Sequence, residues 1–194
     1  VMLLNYLGID ITLQDFITKY LPTEEVYEED GIRYGPDPSK AYAGDPASLY
    51  RGWGTFAPVI ETAVSKVFQD YLVGDFVNLN IERNLGKMPL SYFMGYYEPL
   101  MIWVTTDYEE VTSVYEWFSQ DKTQTYTYPK NGHAVVVIGY DETYYYLLDP
   151  LKEETKIPVE KERLEKSFDS MGRQLLLFTP YTTNTTYYPS FRKS

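Results

Sequence analysis

The chain holds a single histidine, His133, at the head of the apolar run HAVVVIGY, and an aspartate, Asp149, closes the following run, YYYLLD. An imidazole beside a carboxylate is two-thirds of a nucleophile-activating triad. The carboxylate selects the tautomer and stabilises the imidazolium that forms on proton transfer. The two runs read as strands of one hairpin, with a tight turn near Asp141–Thr143. In a hairpin the end of one strand lies opposite the start of the other, which brings position 133 level with 149 to 151. A one-residue register ambiguity decides whether the two side chains share a face. The same residues also read as a hydrogen-bonded histidine at a strand end, with Asp149 capping the Asp149–Pro150 turn.

The nucleophile is the missing third. There is no cysteine. Ser91 and Ser113 sit in no recognisable elbow, and Thr55, in GWGTFAP, lacks the N-terminal amine that threonine nucleophiles use as base. One histidine and no thiolate leave no zinc site of the usual kind. Asp37 in GPDP and Asp45 in AGDP read as Asp-Pro turns ahead of calcium ligands. No metal and no cofactor is expected. Trp53 and Gly54 in the GWG stretch, and Asn131 and Gly132 just before His133, are candidates for a substrate groove. Trp53 equally reads as an aromatic anchoring its loop on the core. A small residue at 132 would let a substrate backbone approach, so a bulky replacement should hurt turnover more than folding.

Bulk properties narrow the classes. The 194 residues suffice for one domain with a sizeable core. A net charge of −11 repels phosphate backbones, which argues against a nucleic-acid partner. The 21 tyrosines put much of the apolar area next to a hydroxyl, which suits half-wet surfaces. No apolar run reaches the roughly 18 residues of a membrane helix, so no membrane span is expected. Cysteine poverty fits a secreted or surface-attached bacterial protein and equally a cytoplasmic one.

The elements that must position the pair follow from periodicity. VMLLNYLG reads as a helix stopped by Gly8; no N-cap residue precedes it, so its first turns are expected upstream of Val1. A second helix is expected from the Thr12 cap to Pro22, a third from about Pro58 to Leu72, and a shorter one over Val77–Leu85. Residues 23–52 read as a long loop, VTSVYEWFS as a helix and QDKTQTYTYPKNG as a polar loop. LMIWVTTD, HAVVVIGY, YYYLLD, IPV and QLLLFTP read as strands, and KERLEKSFDSMG as an amphipathic helix. Helices gather in the first half and strands in the second. That segregation predicts an α+β fold, N-terminal helices packed on an antiparallel sheet, as one domain over 1–180 with a tail over 181–194.

The ordered set MLLNYLGIDIT, GWGTFAPVI, IWVT and GHAVVVIGYDETYYYLLDPL resembles the papain-like cysteine peptidases of family thirty-nine, the bacteriocin-processing, double-glycine-leader type with its stand-alone bacterial members. The resemblance covers roughly residues 1–179, and the HAVVVIGYD…DP block is its most specific part. It implies a papain-like fold and hydrolysis of a peptide or protein substrate through a thiol acyl-enzyme. It implies His133 as general base and Asp149 as its orienting partner, and places the nucleophilic cysteine, with an oxyanion-hole glutamine, a few residues before Val1. The imidazole is then expected to face the start of the opening helix. Two alternatives stay open: an inactive peptidase-like module that binds peptides, and a cell-wall amidase on the same fold. Relatives of this type often carry a cysteine where this chain has Thr55, and no thiol occurs anywhere in these 194 residues.

Overall fold

In the valine-rich run 132–140, Val135 and Val137 enter the core on one face of the sheet and Val136 the core on the other. A computed structural model of the chain describes residues 1–48, 50–71, 88–95 and 99–177. The order of elements begins with α1 (Met2–Tyr6), α2 (Leu13–Asp15) and a π-helical turn over Phe16–Tyr20. Gly8 ends the first helix at φ 85°, as expected. Thr12 caps the second, its Oγ1 accepting the Asp15 N–H at 3.0 Å.

Residues 23–54 depart from the expected loop. They carry short strands β1 (Thr23–Glu24), β2 (Tyr27–Glu29), β3 (Ile32–Tyr34), β4 (Tyr42–Gly44) and β5 (Gly52–Gly54). Each is too short to show a period, and cross-strand pairing decides it. Next come α3 (Ala57–Tyr71) and α4 (Leu90–Met94). The expected helix over 77–85 and the tail over 181–194 lie outside the described residues.

The second half holds β6 (Leu100–Thr105), β7 (Val114–Phe118), β8 (Thr125–Pro129), β9 (Gly132–Tyr140), β10 (Tyr144–Leu148), β11 (Ile157–Glu160), α5 (Lys161–Ser170) and β12 (Leu175–Leu177). Two expectations are corrected here. VTSVYEWFS forms strand β7 instead of a helix, and the polar loop after it contains strand β8. Val114, Glu116 and Phe118 are exposed while Trp117 is buried, a period of two that nine residues of mixed polarity concealed. Antiparallel pairing with β8 and a bond from Trp117 Nε1 to the Pro36 carbonyl at 2.8 Å settle the strand.

The main sheet has the order β11-β10-β9-β6-β12 and is antiparallel throughout. A separate small sheet, β2-β3-β7-β8, and a ribbon, β1-β4-β5, lie apart from it. Each face of the main sheet has its own core. On one, Val135, Val137, Tyr145 and Leu147 meet Leu164 and Phe168 of α5 and Leu90 and Phe93 of α4. On the other, Trp103, Val136 and Leu176 meet Leu3 and Leu4 of α1 and Ala63, Val64, Val67 and Phe68 of α3. The N-terminal helices therefore cover one face of an antiparallel sheet, as the segregation of elements predicts. Strand starts and ends alternate, so His133, Thr105, Asp149 and Gln174 all gather at one end of the sheet.

Candidate active site

At that end His133 Nε2 lies 2.7 Å from Asp149 Oδ1, with the carboxylate buried and the imidazole partly buried. A bulge brings them together. Tyr146 pairs with Gly139, but Leu147 pairs with Val137, so Ile138 is skipped. Without this shift Asp149 would come level with Val136. With it, one step past the Leu148–Val136 pair, Asp149 comes level with Val135, in the same side-chain row as His133. Two residues along the strand, the imidazole then reaches the carboxylate as a diagonal neighbour. A glycine inside a strand, here Gly139, was the available signal of a bulge.

Asp149 accepts three hydrogen bonds. His133 Nε2 and the Leu151 N–H, at 2.8 Å, address Oδ1; the Tyr108 hydroxyl donates to Oδ2 at 2.5 Å. The aspartate thus caps the Asp149–Pro150 turn and meets the histidine with the same carboxylate. Burial pushes its carboxyl up, but the bonds from Tyr108, Leu151 and His133 together outweigh burial and hold it below the usual carboxylate value. An ionised carboxylate only accepts, so the neutral ring carries its proton on Nε2 and its lone pair on Nδ1. For Tyr108, burial first and then the bond to Asp149 raise the phenol well above its ordinary value, so it remains a donor.

Sequence reasoning missed Tyr108. It lies 41 residues from Asp149 in the chain, in a turn without a motif. Its backbone is left-handed, φ 59°, which costs a bulky L-residue about 1–2 kcal/mol.

The groove candidates make packing and hydrogen-bond contacts. Trp53 sits edge-on to Tyr115 and Trp117, at centroid distances of 4.3 and 5.9 Å, with the Arg33 guanidinium 4.4 Å over its ring. That is the loop-anchor alternative. Gly54 and Gly132 lie against one aromatic ring: a Cβ at either would come within 2.4 or 2.7 Å of Tyr128 Cε1. Gly132 is thus small because Tyr128 needs the space, so its replacement bears on folding as well. Asn131 braces the strand's start, its amide donating to Asp107 Oδ1 at 3.3 Å and its carbonyl accepting the Thr106 N–H at 2.9 Å.

The remaining candidates are accounted for by structure. Thr55 is buried, with its hydroxyl donating to the Pro38 carbonyl at 3.0 Å. Ser91 lies in α4 and donates its N–H to Tyr145 Oη; the Ser113 carbonyl accepts from the Lys130 N–H. Asp37 caps the Ser39 N–H and Asp45 the Ala47 N–H, while Arg51 pairs with Asp45. Among the described residues no group of acidic, histidine or cysteine side chains could hold a metal, and no helix is long and apolar enough to cross a membrane.

His133 continues the row of Val135 and Val137, which enters the α5-side core, whereas α1 packs on the opposite face. Ala134, the next residue, and Val1 are both partly buried against the α1-side core. Ring and helix start therefore do not share a face.

A hairpin carrying a histidine–aspartate pair at the end of an antiparallel sheet, with N-terminal helices across one face, is the arrangement of a papain-like fold. A crystal structure from Bacillus anthracis, assigned provisionally as a C39-like peptidase, matches with a TM-score of 0.71 at 22% identity, covering 93% of this chain and 86% of that one. The profile of the Peptidase_C39 like family matches residues 1–176, and the chain belongs to that family. It is also 25% identical over 177 residues to YvpB, an uncharacterized protein of Bacillus subtilis strain 168. The match takes in 91% of this chain and 65% of YvpB, so the chain spans about two thirds of that relative's length.

Proposed function

We propose that residues 1–180 form the base-bearing domain of a thiol peptidase, with His133 as general base and Asp149 as its orienting partner. The observation that carries this reading is the part-buried 2.7 Å contact between His133 Nε2 and Asp149 Oδ1 at the sheet end of a C39-like fold. Asp149 holds the ring with its Nδ1 lone pair free to take a proton. The nucleophile in this reading is a cysteine thiol upstream of Val1, as the resemblance to the family implies, while α1 itself packs on the sheet face opposite the imidazole. In turnover, Nδ1 takes the thiol proton as the thiolate attacks the peptide carbonyl. It returns the proton to the leaving amine, and water then releases the acyl group. The substrate is a peptide or protein segment.

The test uses a chain carrying a family cysteine upstream of Val1 and a thiol-directed activity probe. His133→Ala should abolish labelling at neutral pH. Asp149→Asn should lower it less, because it disturbs orientation and leaves the proton carrier. Normal labelling and hydrolysis in both variants would refute the assignment. One observation favours a second reading for these residues taken alone: they contain no thiol. Residues 1–194 by themselves would then bind peptide without cleaving it, and hydrolysis by them would count against both readings.

A further inference from the structure

We infer that Tyr108 is a positioning residue for this site: clamped in a left-handed turn, it holds Asp149 so that the second carboxylate oxygen addresses His133. This rests on the reading of His133 as the base. A carboxylate can rotate about its Cβ–Cγ bond, and the Leu151 N–H and His133 both address Oδ1. Among the described residues Tyr108 alone bonds Oδ2, at 2.5 Å, so its hydroxyl adds the restraint on rotation that two bonds to the same oxygen, Oδ1, do not supply.

The turn that carries Tyr108 is built to deliver it. The Tyr108 N–H closes on the Thr105 carbonyl at 3.1 Å, and Thr105 Oγ1 donates to the Glu109 carbonyl at 2.7 Å. Helix α5 grips it from one side. Ser167 Oγ accepts the Thr105 N–H at 2.9 Å, and Arg163 donates to the Asp107 carbonyl and pairs with Glu109, each at 2.7 Å. Asn131, two residues before the histidine, grips it from the other side through Asp107 and Thr106. The positive φ of a buried tyrosine persists because these contacts over-determine it, and such strain gathers where a side chain must be aimed. A ring wanted only for packing would need neither the strained backbone nor the hydroxyl.

The single histidine makes the test direct. In the 194-residue chain the ring 15N shifts belong to one residue, with no cysteine required. The wild type should show the tautomer protonated on Nε2, with that proton exchanging slowly. Tyr108→Phe keeps the ring and removes the hydroxyl. The expected result is loss of the tautomer preference and fast exchange of the Nε2 proton, with the amide spectrum and unfolding midpoint showing an intact fold. Arg163→Ala, at a half-exposed side chain, loosens the turn while keeping the phenol, and should weaken the preference in the same direction. Retention of the wild-type tautomer in both variants would overturn the inference, as would a change in stability alone. The spectrum reads positioning without any cleavage assay. Its failure therefore leaves the peptidase reading standing, and absent thiol chemistry leaves the ring result standing.

Discussion

At the scale of single residues, the sheet-end site is a contest between burial and hydrogen bonding at one carboxylate. Burial alone would raise the Asp149 value; three donors lower it instead. A folded value below the unfolded one means the group contributes stability that is fully present above the unfolded carboxylate range, near about pH 4. That contribution is lost as pH falls through the lower, folded value. The wild type should therefore show an acid limb of destabilisation below about pH 4 that Asp149→Asn, which has no carboxyl to protonate, lacks in part. Superimposable acid limbs in denaturant titrations would remove Asp149 from the account. His133 and Asp149 were legible in the sequence because a lone histidine and a hairpin's closing aspartate stand out against apolar runs. Tyr108 was not, because 21 tyrosines hide one and its contact spans two distant turns.

Elements position the site through their irregularities. The bulge at Ile138 shifts Asp149 into the row of His133, and a tight-turn hairpin read from sequence alone leaves that choice open. Tyr128, on a strand that sequence periodicity did not reveal, lies against both the GWG ribbon and the first residue of β9. Alanine at Gly132 must push that ring, and about 1–3 kcal/mol of stability should be lost. Gly54→Ala meets the ring closer still, at φ 126°, and should cost about 3 kcal/mol or more. Gly139→Ala is the contrast. Its nearest neighbour is Tyr146 Cδ2 at 4.0 Å, so stability should stay within about 0.5 kcal/mol. Thermal or urea unfolding of the three variants checks the ranking, and equal losses at 132 and 139 would contradict it.

Across the whole molecule, a buried glutamine ties the layers together. Gln174 Oε1 accepts the Ala57 N–H at the head of α3 at 2.9 Å, and its Nε2 donates to the Met171 carbonyl after α5 at 3.0 Å. Gln174→Leu strands both partners and should cost about 2–4 kcal/mol, with tryptophan fluorescence and far-UV circular dichroism still unfolding together. Separate transitions would mean that the two cores stand independently. The amino-acid sequence by itself determined the α+β plan, the apolar strands, the capped helices and the identity of the pair at the sheet end, because each leaves a local signal of period, cap or turn. Tertiary structure alone decided that 114–118 and 125–129 are strands, that the hairpin bulges, and that Tyr108 meets Asp149. These outcomes depend on pairing and packing between segments far apart in the chain, where a few kcal/mol of partner contact override what nearest neighbours prefer.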